Sequence, residues 1–243
     1  MMRCDVIASG STGNAVVLDG EILIDCGVPF RALESVYRRL RLVLLTHQHG
    51  DHFNPATIKR LHFLRPSLRF CVPPWLAPLL VKLGVDARVI DTATPGKGKY
   101  FLFTGRLMVG CEEIPHDVPN CCWHIVKNDE WAFYATDCGS LDGIRAQGYN
   151  LYMLEANHTQ AELAARLEQK EEAGQYAYER RAAEVHLSYE QAIDWIAENA
   201  DPNSQYVLLH QHTEKEAGNG LVRGASNDGE TPENAEAGEA AQD

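Results

Sequence analysis

Four side chains that can bind a metal ion lie within six residues, between His47 and His52, in the order His-x-His-x-Asp-His. Imidazole nitrogens and carboxylate oxygens are common ligands of zinc and other divalent ions. Four such groups cannot all reach one ion without strain. The spacing therefore suits two ions, with His47 and His49 facing one, and Asp51 and His52 the other. The alternative is a solvated histidine loop, but the spacing follows neither a helix nor a strand period.

Two ions need more ligands than this segment supplies, and three other positions have suitable side chains. His116 and Asp137 each follow a strand-like run, and His210 ends the last one. A single histidine at a strand end is more often structural, but three suitable positions together favour a shared site. The predicted ligands are His47, His49 and His116 for the first ion, and Asp51, His52 and His210 for the second, with Asp137 bridging both.

The elements that must position these residues are alternating strands and helices. The apolar run 40–45 predicts a buried strand that ends at the metal segment, and Asn54 followed by Pro55 predicts a helix start. Asp25 closes an earlier strand, either as a turn residue or as an acceptor that orients the metal segment. The predicted helices cover 29–40, 55–64, 74–83, 160–181 (one long helix or a helix pair) and 188–199, with Ser188 as an N-cap. A strand is predicted over 87–90, and four strands between 100 and 136 predict an antiparallel meander.

Length and composition indicate one α/β domain over residues 1–213. The chain has 243 residues, of which 45% are hydrophobic, and no apolar run is long enough to cross a membrane. Seven cysteines without a Cys-x-x-Cys pair predict reduced, buried thiols, and with the absence of a signal-peptide pattern they predict a cytoplasmic protein. Eight acids and two bases after residue 213 predict a disordered acidic tail over 214–243, which holds half of the net charge of −12.

The chain resembles the metallo-β-lactamase superfamily of metal hydrolases. The resemblance depends on the run from His47 to His52, followed by His116, Asp137 and His210 in the family's order, and it covers nearly all of residues 3–213. It implies an α/β fold, a four-layer αβ/βα sandwich with two mixed sheets, and a dinuclear site at one edge of the sheets.

Other segments are similar to the YycJ/WalJ-type subgroup, which is associated with 5′-to-3′ exonuclease action on DNA. They are residues 11–14, 23–27, 154–158 and 185–188. The last of these holds a His-x-Ser element that, in related RNA- and DNA-processing enzymes, helps to hold the scissile phosphate. The resemblance implies catalytic roles for Asp51 and His186, and substrate contacts from His186, Ser188 and His158.

Several alternatives stay open at this stage. His186 could instead cap the helix that begins near Ser188, and His158 could be a hydrogen-bonded loop residue. Glu155 and Asn157 either fix a loop or contact substrate. Gln211-His212-Thr213 replaces the family's usual Leu/Phe-Ser, so His212 is a candidate substitute ligand. The chain also lacks room for the long helical insertion of the large RNA-processing ribonucleases, and it has no Gly/Pro-rich arm between His52 and His116.

These observations predict a dinuclear-metal phosphodiesterase, a nuclease acting from 5′ to 3′ on single-stranded DNA or a related nucleic acid. A hydroxide bridging two ions would attack phosphorus in line, and a nitrogen and oxygen ligand set favours zinc, with manganese second. Arg38 and Arg39 would help to guide the polyanion. The alternative is a hydrolase of small esters, thioesters, lactones or cyclic nucleotides on the same fold. An inactive regulatory module is disfavoured because no metal position is missing.

Overall fold

A computed structural model describes residues 2–104, 106–173 and 184–211. Two six-stranded mixed sheets pack face to face. The acidic tail predicted over 214–243 lies outside the described residues, and so does His212. No helix within the described ranges is both long enough and apolar enough to span a membrane.

The first sheet holds its six strands in chain order. The strands are β1 (Cys4–Ala8), β2 (Ala15–Leu18), β3 (Ile22–Ile24), β4 (Leu42–Leu44), β5 (Arg69–Val72) and β6 (Ile90–Thr92). β1 to β3 are antiparallel and β3 to β6 are parallel. The register pairs Ile24 with Leu44, so the residues after β3 and after β4 emerge side by side at one edge.

The second sheet is ordered β12-β11-β10-β9-β8-β7. Its strands are β7 (Phe101–Thr104), β8 (Leu107–Ile114), β9 (Asn120–Lys127), β10 (Glu130–Ala135), β11 (Leu151–Glu155) and β12 (Gln205–Leu209). The predicted meander from β7 to β10 is confirmed, and β10, β11 and β12 run parallel. β8 runs in the same direction as β10, since both are antiparallel to β9. The carboxyl ends of these four strands therefore meet at one edge.

Helices cover the outer faces of both sheets, which completes the predicted four-layer sandwich. The helices are α1 (Pro55–Leu64), α2 (Ala77–Lys82), α3 (Gln160–Glu172) and α4 (Tyr189–Asn199). One apolar cluster fills the space between the sheets, a second lies beneath α1 and α2, and a third lies between the second sheet and α4. The predicted helix over 160–181 is confirmed as far as residue 172, and residues 174–183 lie outside the described ranges.

The helix predicted over 29–40 is wrong beyond its first turn. A 3₁₀-helix spans Phe30–Leu33, and turns follow it. The apolar spacing that suggested a helix is real, because Leu33 and Leu40 are buried beneath α1. The Arg65 guanidinium, however, donates hydrogen bonds to carbonyl groups in this segment, including that of Leu40 at 3.0 Å. These contacts hold the segment against α1 without a continuous helix.

The strand predicted over 87–90 is also corrected. A 3₁₀-helix spans Ala87–Val89, and β6 begins only at Ile90. The Asp86 carboxylate accepts a hydrogen bond from the Arg88 backbone N–H at 2.9 Å, which caps this turn. A local side-chain cap therefore outweighs the β propensity of the valine and isoleucine here.

Candidate metal centre

The structure brings the predicted ligands of the first ion together at the shared edge of the two sheets. Ligand atoms of His47, His49, His116 and Asp137 all lie within 4.8 Å of one another. His116 Nε2 is 3.2 Å from His49 Nδ1, and His47 Nε2 is 3.3 Å from Asp137 Oδ2. Three imidazole nitrogens and one carboxylate oxygen thus converge as one set of ligands.

The predicted ligands of the second ion lie beside the first group. Ligand atoms of Asp51, His52 and Asp137 form a second group within the same 4.8 Å limit. His52 Nε2 is 2.7 Å from Asp137 Oδ2 and 3.6 Å from Asp51 Oδ2, and His210 Nε2 is 4.0 Å from Asp51 Oδ2. Asp137 belongs to both groups.

Unpaired polar atoms show that this edge suits a cation. His47 Nε2, His116 Nδ1 and Asp137 Oδ1 are buried and make no well-aligned hydrogen bond among the described residues, although His210 Nδ1 lies 3.0 Å from Asp137 Oδ1. A buried polar atom left without a partner costs on the order of 1–3 kcal/mol. A divalent ion would satisfy His47 Nε2 and the Asp137 carboxylate, and the nitrogen and oxygen donors match what such ions bind. The residues therefore fit a metal site.

Five histidines are predicted ligands, and in four of them the ring nitrogen that faces away from the candidate metal groups has an oxygen partner. Such partners fix the tautomer and orientation of a ligand histidine. The four contacts are His52 Nδ1 to Asp25 Oδ2 at 2.6 Å, His210 Nδ1 to Glu155 Oε1 at 2.8 Å, His47 Nδ1 to Thr46 Oγ1 at 2.9 Å, and His49 Nε2 to Asp117 Oδ1 at 3.4 Å.

Asp25 satisfies both interpretations that its sequence position left open. Its φ of +58° makes it a turn residue after β3. Its buried carboxylate also accepts hydrogen bonds from the Thr46 backbone N–H at 3.0 Å and the Tyr134 hydroxyl at 2.9 Å, beside its contact with His52. One carboxylate therefore ties the metal segment to both sheets.

The residues around the predicted first ion form what we call the first side, and those around the predicted second ion form the second side. Glu155, whose role the sequence left undecided, holds the imidazoles of the second side in place. Oε1 lies 2.6 Å from His186 Nδ1 and 2.8 Å from His210 Nδ1. Oε2 accepts hydrogen bonds from the backbone N–H groups of Cys138 and Leu187. Its carboxylate is fully buried, so these contacts fix both imidazoles. The available signal was a charged residue directly after the apolar run of β11.

The histidines of the second side have raised pKa values in the absence of metal. Burial lowers the pKa of His186, but Asp137 and Glu155 outweigh it and raise the value to about 10. The same carboxylates raise the pKa of His210 to about 9 against the effect of burial. Burial lowers the pKa of His52 too, yet Asp25 and Asp137 raise it well above its usual range. Without a metal ion, the protons on these imidazoles therefore balance the negative charge of the neighbouring carboxylates.

The histidines of the first side are shifted in the opposite direction. Burial lowers the pKa of His47 by more than the neighbouring Asp137 raises it. Burial, followed by the charge of His47, lowers the pKa of His116 to about 4. Both rings are therefore neutral near pH 7, which is the form that binds a metal ion.

Asn14 is a site residue that the sequence did not reveal, because it reads there as part of a tight turn. Its Nδ2 lies 2.8 Å from His52 Nε2 and 3.4 Å from Asp51 Oδ2. Nearby, the backbone of Gly27 packs directly on the Asp51 peptide. A Cβ atom at Gly27 would lie 1.6 Å from the Asp51 carbonyl oxygen.

The predicted substrate contacts lie around this edge. His186 lies between the two sides, with its ring centroid 6.0 Å from that of His116 and 5.2 Å from that of His210. Ser188 is the predicted N-cap of α4. Its hydroxyl accepts a hydrogen bond from Gln191 N–H, and the residue is only 2% exposed. His158 is partly exposed and pairs with Ser188 in a parallel bridge. The substrate roles of Ser188 and His158 stay predictions.

Comparisons with known proteins agree with this geometry. The family model described as the beta-lactamase superfamily domain matches residues 21–211. Human tRNase Z, short form, is similar with a TM-score of 0.64 and 17% identity, over 87% of this chain and 92% of that chain. The metallo-beta-lactamase fold protein YhfI from Bacillus subtilis gives 0.64 and 17%, over 86% of each chain.

Zinc-bound PqqB from Methylobacterium extorquens gives a TM-score of 0.61 and 14% identity, over 87% of this chain and 89% of that chain. At these low sequence identities, the TM-scores show a shared fold and nothing more. The search of curated protein sequences found no significant match.

Proposed function

The chain belongs to the beta-lactamase superfamily, and from that premise we propose that it is a metal-dependent phosphodiesterase that cleaves nucleic acid at a two-ion centre. The finer assignment, a 5′-to-3′ exonuclease acting on single-stranded DNA or a related strand, rests on the YycJ/WalJ-like segments. Its site residues are the seven predicted ligands together with His186, and Ser188 and His158 complete the substrate side.

A single observation carries the proposal, namely that Asp137 belongs to the candidate ligand groups of both predicted ions, as well as to a third group with Glu155, His186 and His210. A carboxylate has two oxygens, so it can serve two cations at once. Two divalent ions held there would supply Lewis acidity and an activated water for in-line displacement at phosphorus. The donors are nitrogen and oxygen only, which favours zinc, with manganese as the second candidate. The zinc-bound PqqB shows that a protein of this fold holds that metal.

His186 is proposed as the proton source for the leaving group. Its Nδ1 contacts Glu155, which leaves Nε2 available on a side chain that is 19% exposed. The proton on Nε2 would pass to the leaving sugar oxygen as the P–O bond breaks, and solvent would then reprotonate the ring. The nearby carboxylates keep the imidazole protonated at neutral pH by raising its pKa.

A hydrolase of small esters, thioesters, lactones or cyclic nucleotides remains the alternative on this fold. The likeness to tRNase Z supports a nucleic-acid substrate, since the name of that protein gives tRNA as its target. His186 also favours the phosphodiesterase, because a poor alkoxide leaving group needs a proton whereas an activated ester does not.

The test compares labelled single-stranded DNA, RNA, bis(p-nitrophenyl) phosphate and p-nitrophenyl acetate, with wild-type protein and with His186→Ala. We expect His186→Ala to retain both ions and to lose about 10²-fold in oligonucleotide cleavage, the scale typical of a lost general acid. Hydrolysis of the activated ester should change little. His124→Gln, which alters a histidine of β9 that contacts Tyr149 and lies outside the candidate metal groups, is the control.

Three outcomes contradict the proposal. Wild-type protein that hydrolyses the ester but neither diester nor oligonucleotide would favour the small-ester alternative. Equal oligonucleotide cleavage by His186→Ala and wild type would remove the proton-donor role. Loss of one ion in His186→Ala would show that His186 is a ligand. This outcome is tested because ligand atoms of Asp137, Glu155, His186 and His210 also form a group.

A further inference from the structure

The two helical layers of the sandwich carry opposite charge. Residues 28–90 hold ten of the chain's 22 basic residues and only three of its 34 acidic residues. On the other side, α3 and α4 together hold seven acids and two bases. The net charge of −12 is therefore unevenly distributed, and the helical layer within residues 28–90 is positively charged.

Five exposed bases form what we call the basic face, which covers the outside of the 3₁₀ segment and α1. Its members are Arg31, Arg38, Arg39, Lys59 and Arg60. None of them forms an ion pair with an acid among the described residues. Glu34 is the single exposed acid between Arg31 and Arg60, since the predicted metal ligand Asp51 is only partly exposed. Their charges are thus available to a partner.

The basic face begins where the metal segment ends. α1 starts at Pro55, three residues after His52, and its ten residues extend for about 15 Å. The exposed surface continues from Gly50 over Pro55 to Lys59 in the next turn of α1. A strand whose scissile bond lies at the metal centre can therefore continue onto α1.

Aromatic rings accompany the bases along this path. Phe63, one turn beyond Lys59, is 81% exposed, an unusual position for so large an apolar ring. The Arg60 guanidinium lies 4.8 Å from the centre of the Phe30 ring. Exposed bases next to an exposed aromatic ring are the combination that binds single strands, because phosphates pair with the bases and nucleobases stack on the ring.

We propose that the basic face, together with Phe63, binds the part of a single-stranded nucleic acid that extends away from the metal centre. This inference rests on the proposed function and adds where the strand runs. Lys59 and Arg60 contact the phosphates nearest the centre, and Phe63 stacks on a base. Arg38 and Arg39 contact more distant phosphates, since Arg39 lies against Gly20 in the β2–β3 turn, at the end of the sheet opposite the metal groups.

The experiment compares two charge-reversed double variants of equal charge change. Lys59→Glu/Arg60→Glu alters the basic face, whereas Lys97→Glu/Arg145→Glu alters two exposed bases outside it. For each holoenzyme, kcat/KM is measured on a 20-nucleotide single strand and on bis(p-nitrophenyl) phosphate, across a range of salt concentrations. The small diester reaches the metal centre without covering α1, so the ratio of the two rate constants reports on the basic face.

We expect Lys59→Glu/Arg60→Glu to reduce that ratio by about tenfold or more. In a plot of log(kcat/KM) for the 20-mer against log salt concentration, the slope should become shallower by about two. Phe63→Ala should reduce the ratio by about fivefold or more with an unchanged salt slope, because it removes stacking and no charge. The control variant should match wild type.

An unchanged ratio in Lys59→Glu/Arg60→Glu would overturn the proposal, and so would an equal loss in the control. Wild-type protein that cleaves the small diester and the 20-mer, with no effect of the face variants, would remove this path while preserving the proposed function. Wild-type protein that cleaves neither substrate would remove the proposed function itself.

Discussion

The two proposed ion sites use similar candidate ligands but differ in the groups that hold those side chains. On the second side, the imidazoles of His52 and His210 are held by the buried carboxylates of Asp25 and Glu155. On the first side, His47 is held by a hydroxyl, and His49, 36% exposed, contacts a partly exposed carboxylate of Asp117 at a longer distance. The second side is therefore the more rigid and the more strongly charged.

This difference teaches that outer partners, rather than the ligands, set the character of each site. A carboxylate behind an imidazole raises its basicity and fixes its orientation. We therefore expect the second site to bind its ion more tightly at high pH, and the first site to exchange its ion more readily. The predictions below test this asymmetry.

The largest effect is expected from Asp137→Asn, which abolishes the feature that both sites share. The amide keeps the shape and tolerates the φ of +54°, but it loses the charge that serves two ions. Elemental analysis should show both ions lost or strongly depleted, and diester cleavage should fall by at least about 10³-fold, more than the 10–100-fold typical of an outer partner.

Asp142→Asn, an exposed substitution in the loop before β11, is the matched control for this experiment. Full retention of two ions by Asp137→Asn would show that the shared carboxylate is not a ligand.

The next prediction compares the two kinds of outer carboxylate directly. Glu155→Gln should weaken the second ion by about 10–100-fold in a chelator competition, since it removes a buried partner of His210. Asp117→Asn should weaken the first ion by only about three- to tenfold, because its contacts with His49 and His116 are longer and more exposed than those of Glu155. Equal losses in the two variants, or a larger loss in Asp117→Asn, would break the asymmetry.

A pH titration should separate the sites without any substitution. The second ion must displace protons from His52 and His210 below their raised pKa values, and that of His210 is about 9. Its affinity should therefore rise by about tenfold per pH unit for each displaced proton between pH 6 and 8. The first ion meets a His47 of lowered pKa and a His116 with a pKa of about 4, so its affinity should be nearly constant above pH 7.

Calorimetric titration of the metal-free protein in two buffers of different ionisation heat measures the protons released at each step. Equal proton release at the two steps would contradict this assignment.

The smallest effect is expected from Ser188→Ala, beside the second site. The variant loses the N-cap of α4, which should cost about 1 kcal/mol and lower the Tm by a few degrees. Ser188 is only 2% exposed, so its contribution to the substrate side should act mainly through the position of His186, and KM for an oligonucleotide should rise by less than about threefold. A larger rise, with normal stability, would instead indicate direct contact between Ser188 and substrate.

The sequence predicted the sandwich, and it predicted that the candidate ligands meet at one edge of the sheets, because both depend on local patterns. The run from His47 to His52 follows a buried strand, and the later candidates, such as Asp137, follow other strands whose carboxyl ends share an edge. Such strand ends can be recognised from apolar runs alone. The tight spacing in the first run also limits how many ions it can serve.

The outer partners could not be predicted, because each joins residues that are distant in the chain. Glu155 meets His186 and His210 only after β11 and β12 have paired, and Asn14 meets His52 only after the first hairpin has folded against the metal segment. The wrong helix prediction over 29–40 has the same origin. Arg65, at the end of α1, donates hydrogen bonds to backbone carbonyls of this segment, and local sequence gives no sign of that contact. Long-range contacts outweigh local propensity at these places.

Gly27 gives the centre a vulnerability that has nothing to do with metal chemistry. A methyl group at this position would overlap the Asp51 carbonyl, so even alanine must displace the backbone that carries two ligands. In a saturation scan scored by survival of activity, Gly27 should therefore tolerate as little variation as a histidine ligand, although it has no side chain. The substitutions that this protein can accept are therefore limited by close backbone packing as well as by its candidate ligands. A map of mutational tolerance would show both.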